Sequence, residues 1–129
     1  MTLAEIQARV MFQTNNDAED VGDFIPHLPG YINDGYDRLL YAYEKKHPET
    51  GSAECPLLAA DDDVPKLPEW THAALADWAT WLVYRNGNPQ KQQRGYQFRS
   101  AFDEVERRIA SLGGKSGMTR PVTNFYNIP

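Results

Sequence analysis

The stretch Arg85-Asn86-Gly87-Asn88-Pro89 constrains this chain more than any other. Apolar residues recur at helical spacing on both sides of it. Asn86-Gly87 ends the first run, and glycine there can take the left-handed conformation that closes a helix. Asn88 offers a side-chain cap to the second run, with Pro89 at its first position, where a missing N–H costs nothing. Two helices joined by so short a turn lie side by side and antiparallel. A helical hairpin is therefore expected, and its seam has to be buried.

The second arm, about residues 89–112, repeats Gly95, Phe98, Phe102, Val105, Ile109 and Leu112 at alternating intervals of three and four. A helix of that length spans roughly 35 Å. Glycine inside a helix costs about 1 kcal/mol, so Gly95 is expected to serve close approach of the preceding helix. That helix starts at Leu67-Pro68-Glu69-Trp70, with an acid at the positive end of the dipole. Trp70, Ala74, Trp78, Trp81 and Leu82 share one side of it, so these aromatics read as core. The expected seam joins Phe98, Phe102, Val105 and Ile109 to Trp78, Trp81 and Leu82.

Upstream, Thr2-Leu3-Ala4-Glu5 is a capping box. Leu3, Ile6 and Val10 continue at helical spacing, and Thr14-Asn15-Asn16-Asp17 closes a first short helix. Residues 23–28 contain Pro26 and read as a turn or distorted helical turn. A helix from about Pro29 to Lys46 carries Ile32, Tyr36, Leu39, Leu40 and Tyr43 as its apolar stripe. Tyr36, Tyr41 and Tyr43 cover more than one face, so at least one of them is partly exposed. Residues 47–68 hold four prolines and Asp61-Asp62-Asp63, a connection longer than joining two helices needs. Leu57 and Leu58 within it are expected to pack on something, and a contact with another protein is the reading taken. The fold class is all-α: a small helical bundle over residues 1–112 with a long hairpin and an extended loop, then an extended C-terminal tail over 113–129.

With 129 residues, 41% hydrophobic and 24% charged, the chain has the size and composition of one globular domain. It has no apolar run long enough to span a membrane and no signal-peptide pattern at its start. Cys55 is alone, so no internal disulfide or cysteine metal cluster can form, and an intracellular setting is expected. Net charge is −5, but Lys115 and Arg120 with no acid make residues 113–129 +2, which leaves −7 on residues 1–112. So acidic a body argues against binding DNA through a basic face.

Candidate chemistry fails on spacing. His27, His47 and His72 lie in different elements, and Glu69-x-x-His72 lacks the second copy a di-metal bundle needs. Asp61-Asp62-Asp63 lacks the glycine and closing Glu of a calcium loop. No serine stands in a nucleophile elbow. Gly114-Lys115-Ser116 has Ile109 where a phosphate loop requires its first glycine, and it comes after a helix rather than a strand. No catalytic residue, metal or cofactor is assigned, and no enzyme is expected.

Two stretches carry a resemblance: "GYINDGYDRLL" at 30–40 and "LPEWTHAALADWATWLVYRNGNPQKQQRGYQFRSAFDEVERRI" at 67–109. With them, residues from about Leu3 to Leu112 resemble the head-to-tail adaptor (connector) proteins of tailed bacteriophages. The shared features are the Tyr-Ile-Asn-x-Gly-Tyr helix, the Leu-Pro-Glu helix start, the Gly-Asn-Pro turn and the long closing helix, all structural rather than catalytic. Pro26 and Pro29 interrupt the approach to the second helix. The resemblance implies a virion protein of the phage neck, assembled in the host cytoplasm as a ring, expected to be dodecameric, beneath the portal protein. Such a ring surrounds the channel through which DNA passes and meets a stopper or tail-completion protein on its other face. A small helical module that grips one partner protein is the alternative.

The tail "GGKSGMTRPVTNFYNIP" has little helix propensity and closes with apolar and aromatic residues. Arg120, Val122, Phe125, Tyr126 and Ile128 are taken as its partner-binding residues, with aromatics as anchors. By the resemblance that partner is the portal. Folding back on its own bundle is the other course open to the tail.

Overall fold

Thr2 opens the first helix as a capping box: its hydroxyl accepts the Glu5 N–H at 3.2 Å, and its own N–H donates to Glu5 Oε1 at 2.8 Å. The computed structural model describes residues 1–14, 24–46 and 57–112. Among them the fold is all-α, with helices α1 (Leu3–Gln13), α2 (Leu28–Lys46), α3 (His72–Arg85) and α4 (Pro89–Leu112) and no strand. Short 3₁₀ turns, Ile25–His27 and Glu69–Thr71, lead into α2 and α3.

The order of contacts fixes the topology. Trp81 stacks on Tyr96, Trp78 meets Phe102 with ring centroids 4.7 Å apart, and the Arg108 guanidinium lies 4.5 Å from the Trp70 ring centre, so α3 and α4 are antiparallel. Met1 lies at His72 and Gln13 at Asp77 and Thr80, so α1 runs with α3. Gly30 and Asp34 lie beside Arg85, and Arg38 lies at Trp78, so α2 runs against α3 and with α4. The C-termini of α2 and α4 therefore share one end of the bundle.

α3 is the central helix, packed on α1, α2 and α4. Its sequence has one acid and is apolar on nearly every face, as a surrounded helix must be. Leu3, Ile6 and Val10 of α1, Ile32, Tyr36, Leu39 and Leu40 of α2, and Phe102 and Ile109 of α4 complete the core, with Phe98, Val105 and Tyr43 half-buried at its margin. A Cβ on Gly95 would stand 2.9 Å from Trp81 Cε3 and 2.9 Å from Tyr84 Cβ, so the close approach of α3 to α4 does need glycine. Gly35 faces Trp78 at 3.0 Å in the same way.

Three expectations change. Gly87 is not left-handed: the Gln92 side chain instead donates to the Arg85 and Gly87 carbonyls at 3.1 and 3.2 Å, closing α3 from the next helix. Asn88 caps α4 as expected, accepting the Lys91 N–H at 2.9 Å. Trp70 sits in the 3₁₀ turn rather than in α3, so it falls out of phase with Trp78 and Trp81 and is 40% exposed, shielded by Arg108.

Residues 57–68 give the third. They are woven into the bundle. Leu58 is buried, and Asn33 clamps its backbone, accepting its N–H at 2.8 Å and donating to its carbonyl at 2.9 Å. The Asp63 and Asp61 carbonyls accept the free N–H groups of Leu3 and Ala4 at 2.8 and 3.0 Å, so this segment also finishes the N-terminus of α1. Lys66 N–H donates to the Tyr36 hydroxyl at 2.9 Å. Asp63 folds back to accept the N–H groups of Ala59 and Ala60, which hold its carboxyl below the ordinary aspartate value.

Candidate interaction surface

Two partly buried polar networks hold this frame together. His72 Nε2 lies 2.9 Å from the Leu67 carbonyl and so donates to it, which leaves Nδ1 to accept the Met1 ammonium at 2.8 Å. At the other end of α1, Gln13 donates to Asp77 at 2.9 Å and accepts the Thr80 hydroxyl at 2.6 Å. Partial burial raises the Asp77 carboxyl above its ordinary value, opposed by the Gln13 bond and the charge of Arg9. Both networks tie α1 to α3.

One open surface lies along α2. Asp34, Asp37, Arg38, Tyr41 and Glu44 line a groove of about 590 Å³, with Leu57 and Glu106 as its other wall. Its floor is rigid. The Arg38 guanidinium lies 4.8 Å from the Trp78 ring centre and pairs with Glu106 at 3.2 Å. Asp34 accepts the Trp78 indole N–H at 2.8 Å. Asp34, Asp37, Glu44 and Glu106 stand with Arg38 among the described residues that line it. The three carboxylates from α2 stand together because a helix places residues three and four apart on one face. Tyr41, 65% exposed, and Leu57, 63% exposed, add apolar surface. Leu57 also borders the neighbouring hollow lined by Asp62 and the half-exposed Val64, so the apolar strip continues around the loop.

Of the sequence-assigned partner residues, Leu57 is on this surface. Leu58 is not: its side chain fills the chain's own core, because the Asn33 clamp turns residue 58 inward. Arg120, Val122, Phe125, Tyr126 and Ile128 lie outside the described residues. Tyr41 is the exposed member of the tyrosine trio, while Tyr36 is buried and Tyr43 half-buried. The groove itself is not legible in the sequence. Asp34, Asp37 and Glu44 do share a face by spacing, but Glu106 joins them only through the packing of α4.

Among the described residues no group of three His, Cys, Asp or Glu side chains is gathered for a metal ion. No described helix is long and apolar enough to cross a membrane. The chain matches no protein-family model, no curated protein and no solved structure.

Proposed function

We propose that this chain is a structural subunit of a phage neck, assembling as a ring between the portal protein and a stopper or tail-completion protein, with DNA passing through the ring. The observation that carries the reading is that the resembling stretches hold the packing together. Gly35 and Tyr36 of the 30–40 stretch meet Trp78 and Lys66, Leu67-Pro68-Glu69 leads into the central helix, and the Gly87-Asn88-Pro89 turn sets the hairpin. The acidic body suits a conduit that polyanionic DNA must traverse without sticking. The exposed Tyr41–Leu57–Val64 strip supplies apolar surface for a neighbouring subunit. The tail residues Val122, Phe125, Tyr126 and Ile128 are assigned to the portal.

Negative-stain imaging and native mass measurement, with and without a purified portal, test this. Rings, or regular decoration of the portal, are expected; a chain that ignores portals at every concentration overturns the reading in favour of a small helical binding module. Truncation after Gly114 is expected to abolish portal binding while leaving the melting temperature nearly unchanged.

A further inference from the structure

Two steps in this chain can react with themselves: Asn86-Gly87 and Asp34-Gly35. In each, a short side-chain carbonyl precedes a residue without Cβ. The glycine nitrogen is therefore free to reach the side-chain carbon and close a five-membered succinimide ring. No other asparagine or aspartate in the chain is followed by glycine.

The fold treats the two steps differently. Asp34-Gly35 lies inside α2, where Gly35 is buried and a Cβ on it would stand 3.0 Å from Trp78 Cδ1. The Asp34 carboxylate accepts the Trp78 indole N–H at 2.8 Å. Ring closure there would have to break the helix and pull Asp34 off the indole. Asn86 stands just past the end of α3, exposed, with φ −92° and ψ 5°. The Gly87 N–H donates to the Tyr84 carbonyl at 3.0 Å, and the Gly87 carbonyl accepts from Gln92 at 3.2 Å. Turning Asn86 toward attack gives up these end-of-helix bonds and leaves the core alone. Helix ends open at little cost, whereas a core opens only with the whole fold.

We propose that Asn86 is a self-modification site, deamidating in the folded protein, and that packing spares Asp34. The Gly87 nitrogen gives its proton to solvent and bonds to Asn86 Cγ. The bond from Cγ to the side-chain nitrogen then breaks, and ammonia leaves with a proton returned by solvent. Water opens the ring at either carbonyl, leaving aspartate or β-linked isoaspartate. One water is consumed, one ammonia is released, and nothing is oxidised or reduced. The two products act differently on the hairpin. Aspartate at 86 lies between the negative end of α3 and the positive end of α4, whose effects on a carboxylate oppose each other. Isoaspartate adds one carbon to the main chain of a turn whose carbonyls at 85 and 87 are both held by Gln92. It is the product that loosens the turn. The inference does not rest on the neck-adaptor reading.

The test ages the full chain at mildly alkaline pH in heavy-oxygen water, native and in denaturant, followed by digestion and mass spectrometry. In the native arm the peptide with residues 86–87 should take up heavy oxygen and split into two isomers, while the peptide with residues 34–35 takes up none. In denaturant the 34–35 peptide should begin to take it up as well. Aged native protein should acquire a fraction that melts below the parent and grows with its isoaspartate content. Asn86→Gln, whose longer side chain closes the ring far more slowly, should keep a single transition on ageing, and freshly purified Asn86→Asp should melt close to the parent. An Asn86 that stays intact in the native arm while converting in denaturant overturns the proposal. Native uptake at 34–35 matching that at 86–87 also overturns it, and isoaspartate that melts with the parent overturns the assigned effect on the turn.

Discussion

Gly95 sets how closely α4 approaches α3. Gly95→Ala gains up to about 1 kcal/mol of helix propensity, but its methyl meets the Trp81 ring and Tyr84 Cβ, each at 2.9 Å. Overpacking of this kind costs about 1–3 kcal/mol, so denaturant unfolding is expected to show a net loss. At Phe102, fully buried against Trp78, truncation to Ala should cost about 3–5 kcal/mol. Asp77 makes a prediction about pH. Its folded value is raised, so the native state holds the proton more tightly than the unfolded chain, whose value is near 3.8. Stability from this residue is therefore present in acid and lost as pH rises from about there through the folded value. Asp77→Asn keeps an oxygen for Gln13 and removes the charge. Its melting temperature should equal or exceed that of the parent at neutral pH, and the decline assigned to Asp77 should vanish.

Among the elements, residues 57–68 behave as part of the bundle. Asn33→Ala removes both bonds to Leu58 and strands partly buried backbone groups, which costs about 1–3 kcal/mol. Leu58→Ser should destabilise strongly, whereas Leu57→Ser should move the melting temperature little and weaken assembly. Deletion of residues 52–63 should lower the melting temperature and release α1, because Asp61 and Asp63 finish its N-terminus. The helices are legible in the sequence because periodicity, caps and Pro89 are local signals, and the apolar stripes of α1, α2 and α4 turn inward as spaced. The course of the loop is not. Asn33 looks like any polar residue on a helix, and only the arrival of residue 58, twenty-five positions away, makes it a clamp. The groove is hidden for the same reason, since its far wall comes from α4. Trp70 misleads because a 3₁₀ turn shifts the phase of its neighbours.

For the whole molecule, charge divides along the sequence, −7 over residues 1–112 and +2 over 113–129. Among the described residues, Tyr41, Leu57 and Val64 are large apolar side chains left outside the core, and Phe12, Met11, Ile25 and Tyr96 are others. Paired substitution of Leu57 and Val64, both exposed, by Ser is expected to leave stability within about 0.5 kcal/mol of the parent, as exposed changes do, while suppressing ring formation or portal decoration. Retained assembly in that variant would assign the ring contact to another face.

The docking of α1 has a consequence for synthesis. Its polar anchors lie far downstream: Gln13 waits for Thr80, 67 residues later, and Met1 for His72, 71 residues later. At roughly 5–20 residues per second of translation, α1 leaves the ribosome about 3–13 s before its seat on α3 has been made. Over that interval Leu3, Ile6 and Val10 lack the part of the core that α3 supplies. α4 follows α3 after a short turn, so α1 waits longer for its seat than any other described helix. Nascent chains arrested before residue 80 should therefore recruit chaperones that hold apolar segments, and release from them should coincide with emergence of α3.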